Sequence, residues 1–382
     1  MMKAFIFPGQ GSQSKGMGEQ LFDRFKDLTG KADEVLGYSV KELCLEDPRD
    51  ELNNTRFTQP ALYVVNALSY FRKVEDTGET PDFLAGHSLG EFNALMAAGC
   101  FDFETGLKLV KKRGELMGEV SNGAMAAILN ASKEEIDRIL SENGLTSVSV
   151  ANYNTPSQLV ISGLVEEITR AEPLFQHGTM RYYPLNTSGA FHSRFMEPAQ
   201  ETFAAFLASF EFATPKIPVI SNFSARPYEG GQVIECLSKQ ITSTVRWCES
   251  IQYLLALAAE RGNEIEFEEL GNGDVLTRLV YTIKLQTPPA RAAEVEPQKS
   301  TQADTTADAA GDKTAPAGRT SAAEKVAAWN QCHRIGVKVK SSLADYPDLE
   351  TRTEAVVLFG HRAAVYMKGY NGYFDLDEVV AA

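Results

Sequence analysis

Five consecutive residues, Gly86-His87-Ser88-Leu89-Gly90, fit the pattern G-x-S-x-G. In that pattern the glycines allow a sharp turn from strand to helix, which leaves the serine hydroxyl clear at a helix N-terminus. Backbone N–H groups and the macrodipole there favour negative charge. The chemistry is nucleophilic attack on a carbonyl through a covalent intermediate. The five residues alone occur by chance, so the flanks matter: Phe83-Leu84-Ala85 reads as a strand and 91–98 as a helix. A nucleophilic serine needs a base, and the chain has five histidines. His87 adjoins Ser88, where neighbouring side chains diverge; a packed imidazole supporting the turn is its expected role. His177, before Gly178, reads as a surface or helix-end residue. His333 and His361 lie in the distal tail. His192 remains, as base or as a satisfied core histidine.

Other glycine patterns fail. Gly9-Gln10-Gly11-Ser12-Gln13-Ser14 lacks the last glycine of a dinucleotide loop, and Met17 stands where a phosphate loop needs lysine. The elements that must position Ser88 follow an α/β order. Ala4-Phe5-Ile6-Phe7 reads as a first strand, and 59–71 as a helix with Leu62, Val65, Leu68 and Phe71 on one face. Between 123 and 186 the pattern changes to β-α-β-β-α-β, the order of a ferredoxin-like unit. Its strands read as 124–129, 147–151, 158–162 and 180–185, with Tyr153 to Ser157 as a connecting loop. Its helices read as 132–143, capped by Ser132, and 166–176, weakened by Pro173.

The chain of 382 residues carries a formal net charge of −14, which disfavours nucleic acid as a partner. No apolar run reaches the roughly 20 residues of a membrane span, and the N-terminus reads as a strand, not a signal peptide. Five scattered cysteines without a CxxC pair argue against disulfides or zinc and suit a reducing cytoplasm. Residues 287–322 have no aromatics and one large aliphatic, Val295, the composition of a flexible linker. The expected organisation is a large α/β-hydrolase-like domain (1–122 and 187–286), an inserted ferredoxin-like subdomain (123–186), the linker, and a small β-rich C-terminal module (323–382). In that module β-branched and aromatic runs alternate with turns at Asp345-Tyr346-Pro347, Gly360-His361 and Gly369 to Gly372, which suggests a small SH3-like barrel.

Six motifs occur in order: Phe7-Pro8-Gly9-Gln10-Gly11-Ser12-Gln13, Thr58-Gln59-Pro60-Ala61-Leu62, Gly86 to Glu91, Arg113-Gly114-x-x-Met117, Gly189-Ala190-Phe191-His192-Ser193 and Gly271 to Leu276. Together they resemble the malonyl-CoA:acyl carrier protein transacylase family, and within it the free-standing trans-acting acyltransferases of modular polyketide synthases. The resemblance covers residues 1 to about 286. It implies that Ser88 carries the acyl group and that His192 is base, then acid, oriented by a carbonyl at the Gln240 position. The Gln10 and Leu89 backbone N–H groups would form the oxyanion hole. Arg113 would hold the free carboxylate of malonyl; without the family, Lys111-Lys112-Arg113 reads as a solvated charged face. Phe191 before the histidine resembles the malonyl type, since an aromatic crowds the site of an α-methyl branch, and Leu89 matches the same type. Asn272 and Asp274 depart from the common pattern, with altered packing or carrier contacts the only expected effect.

The resemblance implies transfer of malonyl from malonyl-CoA to the phosphopantetheine thiol of an acyl carrier protein, with no metal or redox cofactor. An editing hydrolase of the same fold is one alternative, disfavoured by Arg113. A non-catalytic docking or scaffold protein is another, disfavoured by the Ser88/His192 pair. The C-terminal module reads as a docking element for a synthase partner or as an inert appendage.

Overall fold

The computed structural model describes residues 1–187, 189–287, 322–341, 349–358, 362–368, 373–376 and 379–381. It divides into two units, 1–293 and 294–382.

The described strands of the first unit are β1 (Met2–Phe7), β2 (Phe83–Gly86), β3 (Gly123–Leu129), β4 (Ser149–Thr155), β5 (Gln158–Leu164), β6 (Arg181–Pro184), β7 (Val219–Ile220) and β8 (Ile265–Glu269). Four of them form a parallel sheet in the order β7-β2-β1-β8. Alternation along β1 sends Phe5 and Phe7 into one core and Ala4 and Ile6 into the other. The first core is closed by the helices Thr55–Thr77, Gly90–Ala97 and Phe103–Glu119, the second by Trp247–Glu260 and Val275–Gln286. Helices on both faces are what a parallel sheet with two apolar faces requires. The helix expected at 59–71 is longer, Thr55–Thr77. It runs from the Asn54 side chain, which accepts from the Arg56 N–H at 3.1 Å, to Gly78 at φ 65°. Its buried face carries Gln59 and Asn66 besides the apolar residues.

A second, antiparallel sheet has the order β4-β5-β3-β6. The helices Lys133–Glu142 and Val165–Ala171 connect its strands, and Ile136, Ile139, Ile168 and Phe175 share a core with Ile128, Leu159 and Ile161. Ser132 caps the first helix by accepting from the Glu135 N–H. Two sequence expectations need correction. Tyr153 to Thr155 belong to β4 and not to a connecting loop, so the turn to β5 is tight. The helix expected at 166–176 ends at Ala171 and passes into a 3₁₀ turn, Glu172–Phe175, where Pro173 cannot donate to the helical ladder.

In the second unit the helix Ala322–Cys332 precedes β9 (Val339–Ser341), β10 (Val356–Leu358), β11 (Arg362–Tyr366), β12 (Tyr373–Asp375) and β13 (Val379–Ala381). The antiparallel orders are β10-β11-β12 and β13-β9. The helix is not among the sequence expectations for this segment. Val326 and Trp329, three apart on that helix, pack against Val339, Val365 and Met367. Most of the linker, 288–321, lies outside the described residues, as do the turns expected at Asp345-Tyr346-Pro347, Gly360-His361 and Gly369 to Gly372.

Candidate active site

Ser88 stands between β2 and the helix Gly90–Ala97 with φ 51°, a left-handed conformation that non-glycine residues rarely hold. The turn is tight because Gly90 has no side chain: a Cβ there would lie 2.0 Å from the Phe7 carbonyl oxygen. Asn222 clamps the turn from outside. Its Oδ1 accepts from the Ser88 N–H at 2.7 Å, and its Nδ2 donates to the Gly86 carbonyl at 2.7 Å. Leu89 caps the following helix, so its N–H is among the donors the helix leaves unused. Gln10 follows the end of β1. Gly9 beside it presses on the elbow so closely that a Cβ would sit 2.3 Å from the His87 carbonyl oxygen. The Gln10 side chain turns away and donates to Thr55 Oγ1 at 3.2 Å.

His192 and Ser88, 104 residues apart, meet at 2.8 Å between Nε2 and Oγ. The other ring nitrogen, Nδ1, lies 2.8 Å from the backbone carbonyl oxygen of Gln240. Gln240 ends the helix Val233–Gln240, so this carbonyl lies beyond the helix's own ladder, and it also accepts from the Ser243 N–H at 3.4 Å. The negative end of a helix dipole therefore faces the imidazole. It stabilises a positive ring by about 0.3–1 kcal/mol, up to about 2 where partly buried. Burial, with the Arg113 charge nearby, pushes the resting His192 down to about 3, so the resting ring is neutral.

Arg113 is 1% exposed, on the inner face of the helix Phe103–Glu119, while Lys111 and Lys112 are half-buried. The solvated-face reading therefore fails for Arg113. Its Nη1 donates to Gln59 Oε1 at 2.7 Å. Its Nη2 donates to Gln240 Oε1 at 2.8 Å and to Ser88 Oγ at 3.0 Å. Its Nε is buried without a partner among the described residues. Burial pulls the guanidinium down to about 10, which leaves it charged at neutral pH.

The structure thus brings Ser88, His192, Arg113 and Gln240 into one hydrogen-bonded group. Phe191 is buried in the core beside them in sequence. His87 lies apart from the nucleophile's hydroxyl: its Nε2 is 2.8 Å from Asn154 Oδ1, and its ring packs against Trp247. His177 is exposed. Four participants escape sequence reasoning. Asn222 and Tyr228 belong to no motif. Glu91 sits inside the elbow motif, but nothing in the spacing shows that it points inward. Gln59, quoted within a motif without a role, is an Arg113 acceptor.

Residues 4–268 match the family described as acyl transferase domain. A polyketide biosynthesis malonyl CoA-acyl carrier protein transacylase of Bacillus subtilis is 54% identical over 285 residues, which is 74% of this chain and 97% of the relative. A second Bacillus subtilis relative, a polyketide biosynthesis protein, is 50% identical over 81% of this chain, but the chain spans only 41% of that protein's length. The crystal structure of a malonyl CoA-acyl carrier protein transacylase from Burkholderia pseudomallei superposes with a TM-score of 0.75 at 71% identity. It covers 75% of this chain and 99% of its own.

Proposed function

The chain belongs to the acyl transferase domain family, and we propose that it moves a malonyl group from malonyl-CoA to the phosphopantetheine thiol of an acyl carrier protein in polyketide synthesis. The observation that carries this reading is the unbroken line from Ser88 Oγ through His192 to the Gln240 carbonyl, with the Arg113 guanidinium at the same hydroxyl. Ser88 attacks the thioester carbonyl, and its proton passes to His192 Nε2. The Gln10 and Leu89 N–H groups stabilise the oxyanion, each such donor contributing about 3 kcal/mol in comparable sites. The carbon–sulfur bond breaks, and CoA leaves with the proton. The carrier thiol then attacks the acyl-serine ester and returns a proton to Ser88 through the same imidazole. Arg113 pairs with the malonyl carboxylate, a charged group that a neutral pocket would exclude. Every step is an acyl exchange between oxygen and sulfur, so we assign no metal or redox cofactor.

The sheet order β4-β5-β3-β6 with two helices supports a ferredoxin-like subdomain at 123–186, inserted into an α/β-hydrolase-like domain of 1–122 and 187–286. We assign 287–322 to a linker and 323–382 to a docking module. No helix among the described residues is long and apolar enough to cross a membrane, and the cysteines are free; a reducing cytoplasm suits both.

Intact-protein mass spectrometry after incubation with malonyl-CoA tests the reading. A persistent malonyl adduct is expected, absent in Ser88→Ala. An adduct that turns over without a carrier would indicate a hydrolase, and no adduct a scaffold. His192→Ala should slow acylation by about 10³-fold or more, since only binding and the oxyanion hole remain. A parent rate in that variant would remove His192 from the base role.

A further inference from the structure

Glu91 is fully buried one helical turn past the nucleophile, and donors converge on it. Tyr228 donates its hydroxyl to Oε1 at 2.5 Å, the Asn222 backbone N–H donates to Oε1 at 3.1 Å, and Gln240 Nε2 donates to Oε2 at 2.5 Å. Both arms of the active site leave from these bonds. Gln240 Nε2, held by Glu91 and by the Ser88 carbonyl at 2.8 Å, turns Gln240 Oε1 toward Arg113 Nη2. The same residue's carbonyl faces His192. Asn222, tied through its backbone, holds the Ser88 elbow with its side chain.

We propose that Glu91 is a positioning residue whose ionised carboxylate holds Asn222 beneath the nucleophile and Gln240 behind His192 and Arg113, so that acyl transfer requires its ionised form. The inference rests on the malonyl-transfer reading of Ser88. Its basis is the pattern of donors. A proton on Oε2 would face the Gln240 amide N–H; on Oε1 it would face the Asn222 N–H. The Tyr228 hydroxyl can rotate to accept, but a backbone N–H cannot turn away. A proton on either oxygen therefore costs the carboxylate one of its three donors and weakens its hold on the two arms.

The groups around the carboxylate fit this role. Arg113, from the helix Phe103–Glu119, is the cation that interacts with it. Tyr228 and Cys236 also face it; burial, with the carboxylate's charge, raises both, so they stay neutral. His192 stands beyond Gln240 and is neutral down to about 3. Burial pushes Glu91 itself up to about 7, opposed by its hydrogen bonds to Tyr228, Gln240, Asn222 and Ser221. A loss of activity as pH falls through neutrality would point to Glu91 and not to the base, and the Glu91→Gln variant decides between them.

The test is the pH dependence of kcat/KM for Ser88 acylation of the full chain by malonyl-CoA, read by rapid-quench mass spectrometry from pH 5 to 9. In the parent the rate should fall about tenfold per pH unit below an inflection near neutrality. Glu91→Gln cannot ionise. It should acylate about 10–100-fold more slowly at pH 8, because one donor is left unpaired, and its profile should lack the inflection. Tyr228→Phe removes one donor to the carboxylate and should move the inflection up by on the order of one pH unit. That shift is not expected of a residue that only fills space, and it decides the matter if Glu91→Gln does not fold. A parent profile retained in Glu91→Gln, an unmoved inflection in Tyr228→Phe, or a flat parent profile overturns the inference alone. No acylation of the parent at any pH overturns the malonyl-transfer reading and the inference with it.

Discussion

A guanidinium that is 1% exposed needs acceptors, and Arg113 has them for Nη1 and Nη2 but not for Nε. On the proposed function the malonyl carboxylate would supply what is missing. Arg113→Ala leaves that carboxylate buried without a partner, which costs about 3–5 kcal/mol in comparable pairs. The ratio of malonyl-CoA to acetyl-CoA acylation rates should then fall by about 100-fold or more; an unchanged ratio would remove Arg113 from substrate selection. His192 makes a prediction about stability. Burial and Arg113 depress its folded pKa to about 3 from 6.5, so the folded state favours the neutral ring. That contribution is complete above about pH 6.5 and is lost as pH falls toward 3. His192→Asn has no ring to charge. Its melting temperature should drop less between pH 7 and pH 4 than the parent's, measured by differential scanning calorimetry. An equal drop would show that acid sensitivity lies elsewhere.

The elements bring these residues together through a few close approaches, and Gly90 is the tightest. The helix Gly90–Ala97 runs so near β1 that one added carbon meets the Phe7 carbonyl oxygen at 2.0 Å. Gly90→Ala should therefore destabilise the body by about 1–3 kcal/mol and displace Ser88 from His192. Denaturant unfolding and acylation should both register it. An unaffected rate would mean that the elbow tolerates the shift. The elbow was legible in the sequence because its constraint is local: glycines two residues either side of Ser88, a strand before, a helix after. Elimination among five histidines left His192 open between base and core residue, and its role, like that of Arg113, came only through its motif. Asn222, Tyr228 and the inward face of Glu91 were hidden because their bonds join residues more than 130 positions apart. Periodicity reports which face of a helix is apolar, not which buried polar group will find a distant partner. The helix Ala322–Cys332 was missed for another reason. Its alanines resemble the composition that precedes it, although Val326 and Trp329 already carry a helical spacing.

At the scale of the whole molecule the question is how an acidic enzyme receives its carrier. The chain carries a net charge of −14, and the resemblance implies acidic carrier proteins, so the mean field opposes their approach. Several cations of the body are engaged within the fold. Lys111 donates to the Val35 carbonyl at 2.9 Å, Arg246 pairs with Glu249 at 2.6 Å, and Arg226 stacks on the Tyr253 ring. In the second unit Lys340 within β9 and Lys338 just before it are exposed. A tethered module carrying this local pair of lysines, in a segment whose charges nearly balance, would raise the local concentration of an acidic carrier without adding a contact at Ser88. Truncation after Thr287 keeps the helix Val275–Gln286 whole, with the Gln286 to Ser157 bond of 2.8 Å and the Gln252 to Thr287 bond of 3.1 Å. The first unit has its own cores, so the truncated chain should fold and acylate itself from malonyl-CoA at the parent rate. If the module docks the carrier, the KM for the native carrier should rise by about tenfold or more with kcat unchanged, because the module would assist encounter and not chemistry. Steady-state transfer assays over a range of carrier concentrations measure this directly. A KM equal to the parent's would mean that residues 288–382 take no part in receiving the carrier, and that the body alone overcomes the repulsion.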